Sequence, residues 1–393
     1  MVKIATAAEA MPGSIKLCYG ESDLPTPAFI CDAAHEAALG GHTFYTHTAG
    51  YTELREAIAT KVHALHGVTY RASEIMSTVG GSMAIYAAIR ALVGRGDNAV
   101  IVSPAYAIFS NGVIMAGGEP RPAPLARDGR RFHLDLDRVA AAVDRNTRML
   151  VINSPSNPTG WMITVDEQRA LAELAARHDL VILADEVYER LIYETIDKPE
   201  GLSPPAGLSP PRSLSPPVAP SFARVVDNKD RLIVINSFSK TYNMTGWRLG
   251  WAQSSEATVK TMYKAVEFMT SNATAMVQQA GIVALRDGEP YIDELRAHYA
   301  RRRDQVTASL SSIPGVSLPE PKGAFYAFPR IEGLTDSTSF ALRLLEETGL
   351  AVAPGAGFGS DGEGYIRVCF AVTEATVTAA LERLRNFVTS GRS

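Results

Sequence analysis

Hydrophobic and polar positions over the first 286 residues or so alternate between helical stretches and short runs that are apolar throughout. The pattern predicts helices over 81–93 and 167–178, and strands over 98–104, 147–155, 179–188 and 231–238. Strands without an exposed polar face are typical of parallel sheets that are covered on both sides. We therefore expect an α/β fold with a mostly parallel sheet and helices on both faces.

The pattern changes after about residue 286. A long charged helix is predicted over 290–310, followed by the shorter strand-like runs GAFYAFP and YIRVCFAV and a last helix, TVTAALERLRNFV. Short strands mixed with helices favour a second, smaller α+β unit at this end of the chain.

Composition narrows the range of functions. The chain has 393 residues, of which 46% are apolar and 20% charged, and its net charge is −4. Together with the lack of a basic run, this argues against nucleic acid or an anionic membrane as a partner. The three cysteines, Cys18, Cys31 and Cys369, lack metal-ligand spacing, so we expect reduced thiols and no metal. Without a signal-peptide pattern or an apolar run of about 18 residues, we expect a cytoplasmic protein.

The segment SFSKTYNMTGWRLGW, residues 237–251, places Lys240 directly after an apolar strand. A lysine at a buried strand end is costly unless it is paired, neutralised or used covalently. A surface lysine after a strand is the simpler alternative when the segment is taken alone. Two serine hydroxyls and Arg248 nearby indicate an anion, most simply a phosphate.

The segment VILADEVYER, residues 181–190, places Asp185 and Tyr188 where another apolar strand ends. A buried carboxylate needs a cationic partner, and a protonated heterocyclic nitrogen would serve. A Walker B strand has the same pattern, but the G-x-x-x-x-G-K-[ST] loop that it requires is missing from the sequence, which excludes that interpretation.

Three glycine-containing turns carry weaker signals. NSPSNPTG, residues 153–160, offers the Asn157 amide at the same sheet edge, and GGS, residues 80–82, opens a long helix whose free N–H groups suit a phosphate. Each is also an ordinary turn. GFGSDG, residues 357–362, matches G-x-G-x-x-G but leads into a strand, so we interpret it as a loop.

A covalently used lysine, a carboxylate for a ring nitrogen and a phosphate cradle together point to pyridoxal phosphate. At this point the sequence clearly resembles the fold-type-I aminotransferases of class I/II, which include aspartate, aromatic and kynurenine aminotransferases. The resemblance runs almost end to end, through YGESDLPTP, FYTHTAGYTELREAI, GGSMAIYAAIRAL, SPAY, NPTG, DEVY, SFSKTYNMTGWRLG, GAFYAFP, PGAGFG and YIRVCFA.

The resemblance implies roles for the residues around the cofactor ring. Lys240 forms the internal aldimine and later shuttles a proton, and Asp185 keeps the ring nitrogen protonated. Tyr188 and Asn157 hydrogen-bond the phenolate oxygen of the ring, and Tyr106 stacks on its face. The phosphate is held by Ser237, Ser239, Arg248 and the backbone at Ser82 and Met83.

The resemblance also implies the substrate site and the assembly. Arg367 pairs with the substrate α-carboxylate, Gly20 brings backbone close to it, and Asn157 belongs to the same subsite. Tyr45 reaches the phosphate of a neighbouring subunit, which implies a homodimer with shared active sites. The domains implied are a large cofactor domain over 41–286 and a small one over 287–393, to which the segment 1–40 contributes.

The function implied is transfer of an amino group from an amino acid to a 2-oxo acid by a ping-pong mechanism. A β-eliminating lyase of the C–S lyase type can use the same residues and is the alternative. A regulator without enzymatic activity would need a DNA-binding segment ahead of the first motif, where only 18 residues stand. Tyr19 and Leu17 indicate an apolar or aromatic donor.

The segment GLSPPAGLSPPRSLSPP, residues 201–217, repeats nearly the same six residues three times. Proline at this density favours polyproline II over helix or sheet. Its flanks carry Asp185 and Lys240, which belong to one sheet, so a linker between domains is excluded. We expect an exposed loop, inserted over 197–220 and dispensable for turnover, with docking of a partner as the alternative.

Overall fold

The computed structural model describes residues 2–129, 131–193 and 217–391. Its α-helices, numbered along the chain, are α1 (Val2–Glu9), α2 (Ala28–Leu39), α3 (Thr52–His66), α4 (Gly80–Leu92), α5 (Ile108–Ala116), α6 (Leu136–Ala142), α7 (Val165–Arg177), α8 (Phe238–Thr241), α9 (Glu256–Glu267), α10 (Ala275–Asp287), α11 (Glu289–Ser311), α12 (Ser337–Thr348) and α13 (Glu374–Thr389).

The strands are mostly short outside the central sheet. They are β1 (Ile15–Lys16), β2 (Ile75–Thr78), β3 (Asn98–Ser103), β4 (Glu119–Pro124), β5 (Ala126–Asp128), β6 (Arg131–His133), β7 (Thr147–Asn153), β8 (Val181–Asp185), β9 (Leu232–Ser237), β10 (Gly250–Gln253), β11 (Val316–Ser317), β12 (Tyr326–Ala327), β13 (Arg330–Ile331), β14 (Leu350–Ala351), β15 (Ala353–Pro354) and β16 (Ile366–Cys369).

Helix boundaries follow local capping chemistry. Thr164 Oγ1 accepts a hydrogen bond from the Glu167 amide at 3.2 Å and the Glu167 carboxylate bonds back, so that α7 begins with a capping box. The side chain of Ser255 caps α9 in the same position, and that of Asp336 caps α12. Each side chain satisfies an amide that would otherwise lack an acceptor in the first helical turn.

The central sheet confirms the α/β prediction. Its strands lie in the order β2–β10–β9–β8–β7–β3–β4, and all run parallel except β10, which is antiparallel to both neighbours. Alternate residues of one strand enter different hydrophobic clusters. Ile182 and Ala184 of β8 pack in one cluster, while Val181 and Leu183 pack in the other. Because successive side chains of a strand point to opposite faces, both faces of the sheet are covered.

A third hydrophobic cluster gathers the C-terminal elements together with the start of the chain. Strands β12, β16 and β15 form a small sheet, and α11, α12 and α13 contribute Leu310, Leu344 and Leu384 to the cluster. Ile4 of α1 belongs to the same cluster, and β1 pairs in parallel with β14. Ile30 of α2 instead packs against the central sheet. The domain boundaries at residues 40 and 286 stay a prediction.

The GFGSDG segment, the proline-rich segment and the membrane-span prediction can each be compared with the described residues. GFGSDG is a turn followed by one short 3₁₀ segment, as predicted for a loop. The proline-rich loop at 197–220 lies outside the described residues, apart from 217–220. At the end of this loop the chain lies next to the segment before it, because the Ala219 amide donates to the Glu189 carbonyl at 2.8 Å. Among the described residues, no helix is long and apolar enough to cross a membrane.

Candidate active site

A cavity of about 450 Å³ lies where the carboxyl ends of three central strands meet the C-terminal unit. Strands β7, β8 and β9 end at its floor, as expected for ligand sites in parallel sheets. Further lining residues come from helix α1, from the segment after β1 and from strand β16. Most of the residues that the sequence singled out line this one cavity: Gly20, Ser82, Tyr106, Asn157, Asp185, Tyr188, Ser237, Ser239, Lys240, Arg248 and Arg367.

Asp185 is the last residue of β8 and is buried at the cavity floor. Its carboxylate accepts a hydrogen bond from the Val187 amide at 3.3 Å, and the charge of Lys240 acts on it as a weaker influence. Burial raises the pKa of Asp185 to about 7. The site therefore holds a carboxylate that lacks a close cationic partner from the described part of the chain.

Lys240 lies in the short helix α8, three residues after β9 ends. Its Nζ donates a hydrogen bond to the carbonyl oxygen of Gly20 at 2.5 Å. Burial lowers the pKa of Lys240 to about 8, and the nearby Arg367 and Arg248 act in the same direction. A desolvated amine of this kind is a competent nucleophile near neutral pH. Lys240 is half-buried and lines the cavity, which argues against the surface-lysine alternative.

An anion cradle lies between the start of α4 and the segment that follows β9. Ser237 Oγ donates to Ser239 Oγ at 2.9 Å, so both hydroxyls face one place. Gly80 has φ +75°, and a Cβ there would lie 2.4 Å from Arg248 Nη2. Only glycine therefore lets the guanidinium of Arg248 reach the free amides at the start of α4, where an anion is favoured by the helix dipole.

Arg367 is buried on β16, with 3% of its surface exposed, which excludes a surface arginine on an edge strand. Its Nη1 donates to Asn157 Oδ1 at 3.0 Å and its Nη2 to the Cys18 carbonyl at 2.6 Å. Its Nε is buried with no hydrogen-bond partner among the described residues. A buried guanidinium with spare donors can bind a carboxylate.

Three of the predicted residues lie at or beyond the edge of the cavity. Tyr106 lines its mouth and is partly exposed. Met83 does not line it, and its side chain packs partly buried against the hydrophobic cluster around α4. Tyr45 is 88% exposed and also does not line it. Within one chain, Tyr45 therefore has no contact with the site.

Several lining residues carried no predicted role. Tyr326 of β12 is fully buried, and its hydroxyl lies 2.7 Å from that of Tyr188. Val2 and Ala5 of α1 line the cavity as well. The GAFYAFP motif was visible in the sequence, but nothing in its spacing says which of its aromatic residues faces the site. The short helix α1 gives too little periodicity to predict its contacts.

Comparison with known proteins agrees with this geometry. The family model described as "Aminotransferase class I and II" matches residues 12–384. The chain is 34% identical over 380 residues to an aspartate aminotransferase of Pyrococcus horikoshii, covering 96% of this chain and 91% of that one. It is 35% identical over 390 residues to aromatic-amino-acid aminotransferase 2 of Thermococcus litoralis, covering 97% and 93%.

Solved structures give the same result. The crystal structure of an aromatic aminotransferase from Pyrococcus horikoshii matches with a TM-score of 0.87 and 33% identity, and covers 99% of each chain. These relatives are aminotransferases, which supports transamination and not the lyase alternative. The chain therefore belongs to the class I and II aminotransferases and is an enzyme of the transaminase type.

Proposed function

We propose that this chain is a pyridoxal-phosphate-dependent aminotransferase that moves an amino group from an amino acid to a 2-oxo acid in a ping-pong cycle. The observation that carries the proposal is the meeting of two desolvated ionisable groups, the buried Asp185 and the half-buried Lys240, beside one anion cradle. The cytoplasmic location expected from the sequence is part of the same proposal.

The residues present fit this cofactor. The unpaired carboxylate of Asp185 needs a cation, which a protonated pyridine nitrogen supplies. The cradle of Ser237, Ser239, Arg248 and the α4 amides at Ser82 and Met83 suits a phosphate, since a Cβ at Gly80 would fill it. Tyr188 and Asn157 would bond the phenolic oxygen, and Tyr106 would cover one ring face.

When bound, pyridoxal phosphate supplies an electron sink that makes the substrate Cα–H bond acidic. Lys240 holds the cofactor and, once free, moves the proton at the substrate Cα. Its pKa of about 8 lies close to neutral pH, where an amine can both accept and return a proton. The Gly20 carbonyl, which accepts from Nζ at 2.5 Å, orients the amine within the cavity.

Arg367 would bind the α-carboxylate of the substrate. Its unpartnered Nε and its Nη1 and Nη2 groups offer the planar donor pairs that a carboxylate accepts in a bidentate manner. The bond from Nη1 holds the Asn157 oxygen, which leaves the Asn157 amide nitrogen free to donate to a ligand. Gly20 admits the carboxylate closely, because any Cβ there would lie 2.6 Å from the Tyr326 hydroxyl.

The lining favours an apolar or aromatic amino donor. Among the described residues, the cationic side chains that line the cavity are Lys240, Arg248 and Arg367, and each already has a role. The remaining lining is largely apolar or aromatic and includes Val2, Ala5, Tyr19 and Ile85. A second carboxylate on the donor would therefore lack a cationic partner from this subunit.

A homodimer with shared active sites completes the proposal. Phe44, Tyr45 and Phe268 are 81%, 88% and 87% exposed, which is unusual for large apolar side chains unless another surface covers them. Light scattering on the purified protein should give twice the mass of one chain. A monomer at micromolar concentration would contradict this part of the proposal.

The function is tested with a panel of amino acids and 2-oxoglutarate. We expect glutamate and the matching 2-oxo acid to form in equal amounts, fastest with apolar or aromatic donors. Release of ammonia and pyruvate without an acceptor would instead establish a lyase. A preference for aspartate by a large factor would overturn the proposed donor class and leave transamination intact.

A further inference from the structure

Tyr326, to which the sequence assigned no role, contacts three parts of the site. Its hydroxyl lies 2.7 Å from the hydroxyl of Tyr188. Its ring lies 4.6 Å from the guanidinium carbon of Arg367. The same hydroxyl comes so close to Gly20 that no Cβ fits there. Tyr326 therefore touches the proposed ring-oxygen ligand and both parts of the carboxylate subsite.

Packing leaves Tyr326 little freedom. The residue is fully buried, and its backbone is paired with Cys369 in the small sheet. Its ring meets that of Tyr188 nearly edge-on, with 5.7 Å between centroids, and that of Phe325 at 4.8 Å. Aromatic contacts of this kind hold a ring in one orientation, so the position of the hydroxyl is set by the fold.

The direction of the bond between the two tyrosines follows from counting hydrogens. Each phenol has one hydrogen to donate and lone pairs to accept with. Burial raises the pKa values of Tyr188 and Tyr326, so both keep their hydrogen at neutral pH. If Tyr188 donates to the phenolic oxygen of the cofactor, its only hydrogen is used. The hydrogen in the 2.7 Å contact then has to come from Tyr326.

We propose that Tyr326 is a positioning residue whose hydroxyl donates to Tyr188 and thereby directs the Tyr188 hydrogen at the phenolic oxygen of the cofactor. The proposal rests on the proposed function. Hydrogen bonds in a chain strengthen one another, so Tyr188 becomes a better donor. The guanidinium of Arg367 over the Tyr326 ring favours the same polarity, because a cation attracts the electrons of the ring.

The test replaces Tyr326 by phenylalanine, which removes one oxygen atom and keeps the ring. Each purified variant is loaded with pyridoxal phosphate, and the visible absorbance of the bound cofactor is titrated against pH. A weaker donor at the phenolic oxygen stabilises its deprotonated form less. The midpoint of Tyr326→Phe should therefore rise by about half to one pH unit, and that of Tyr188→Phe by more.

Two further variants separate positioning from packing. Tyr193→Phe removes the hydroxyl of a partly buried tyrosine, which donates to the Ala324 carbonyl in the same aromatic region, and its midpoint should equal that of the wild type. In a Tyr188→Phe background, Tyr326→Phe should cause no additional shift, because Tyr326 acts only through Tyr188.

The outcomes are distinct. A Tyr326→Phe protein that loads cofactor and titrates like the wild type overturns the inference, as does a full additional shift in the Tyr188→Phe background. A Tyr326→Phe protein that fails to fold assigns the residue a purely structural role and also overturns it. If the wild type binds no pyridoxal phosphate, the proposed function itself has failed.

Discussion

Residues 185–190 contain buried charged side chains that differ in whether they have a partner of opposite charge. Glu189 and Arg190 face away from the cavity and are paired. Arg190, 1% exposed, bonds Glu289 through both terminal nitrogens at 2.7 Å, and Glu189 Oε2 lies 3.0 Å from His66 Nε2. Asp185 faces the cavity and receives only a backbone amide.

The pKa values express this difference. Burial alone would raise the pKa of Glu189, but its bond to His66 and the charges around it hold the pKa below the usual value. For Asp185, burial prevails and the pKa rises to about 7. Burial also raises the pKa of Glu186 to about 8, but Glu186 lies outside the cavity lining and accepts a hydrogen bond from the Phe222 amide at 2.9 Å. Asp185 lines the cavity without a cationic partner, which is the pattern expected where a ligand supplies the charge.

The largest expected effect comes from Asp185→Asn, which removes the charge but keeps the shape. Transamination should fall by at least about a hundredfold, since the ring nitrogen loses the group that keeps it protonated. The ligand-free protein at pH 8 should be as stable as the wild type or more stable, because an unpaired charge has gone. Kinetics and urea unfolding check the two parts. A ligand-free protein that is clearly destabilised would mean that Asp185 has a structural partner.

The paired group should behave in the opposite way. Glu289→Ala leaves the buried guanidinium of Arg190 without its bidentate partner, and we expect unfolding free energy to fall by about 2 kcal/mol. The cost stays below that of a fully buried pair because Glu289 is 44% exposed. The matched control is Asp287→Ala, which breaks the exposed pair with Arg286 and should cost less than about 1 kcal/mol. Equal effects in the two variants would contradict the comparison.

The smallest expected effect is on how the free energy of unfolding depends on pH, which should reveal the unpaired carboxylate of Asp185. In the ligand-free protein the pKa of Asp185 is about 7, well above that of an exposed aspartate, so the folded state binds the extra proton between about pH 4 and 7. The contribution of Asp185 to the free energy of unfolding is therefore present at low pH and is lost as the pH rises to 7, by up to about 1.4 kcal/mol per pH unit. Urea unfolding across this range should show a shallower decline for Asp185→Asn, and parallel curves would refute the assignment.

The residues at the floor of the site could be predicted from the sequence, because each is marked by its immediate neighbours along the chain. Asp185 and Lys240 each follow an apolar run, and parallel strands bring such ends to one edge. The predicted strand over 179–188 ends at Asp185, because the chain turns there to pair Glu189 and Arg190 elsewhere. That turn depends on partners more than 90 residues away along the chain, such as Glu289, which local patterning does not reveal.

Other elements escaped prediction for related reasons. Strand β4 contains Pro120, Pro122 and Pro124, which argue against a strand, yet β4 is the edge strand of the sheet, where missing amide donors are tolerated. Strand β12 is only two residues long. The role inferred for Tyr326 depends on a contact with Tyr188 across 138 positions, and only the folded chain brings the two together.

Lys240 is the residue that we propose to hold pyridoxal phosphate covalently. The direct measurement is to incubate the protein with pyridoxal phosphate, reduce it with borohydride, digest it and locate the added mass by peptide mass spectrometry. We predict that Lys240 is modified in the wild type in addition to any background labelling of surface lysines. The Lys240→Ala protein should show that background labelling alone. Stable attachment at a different lysine, or none at all, would contradict the claim.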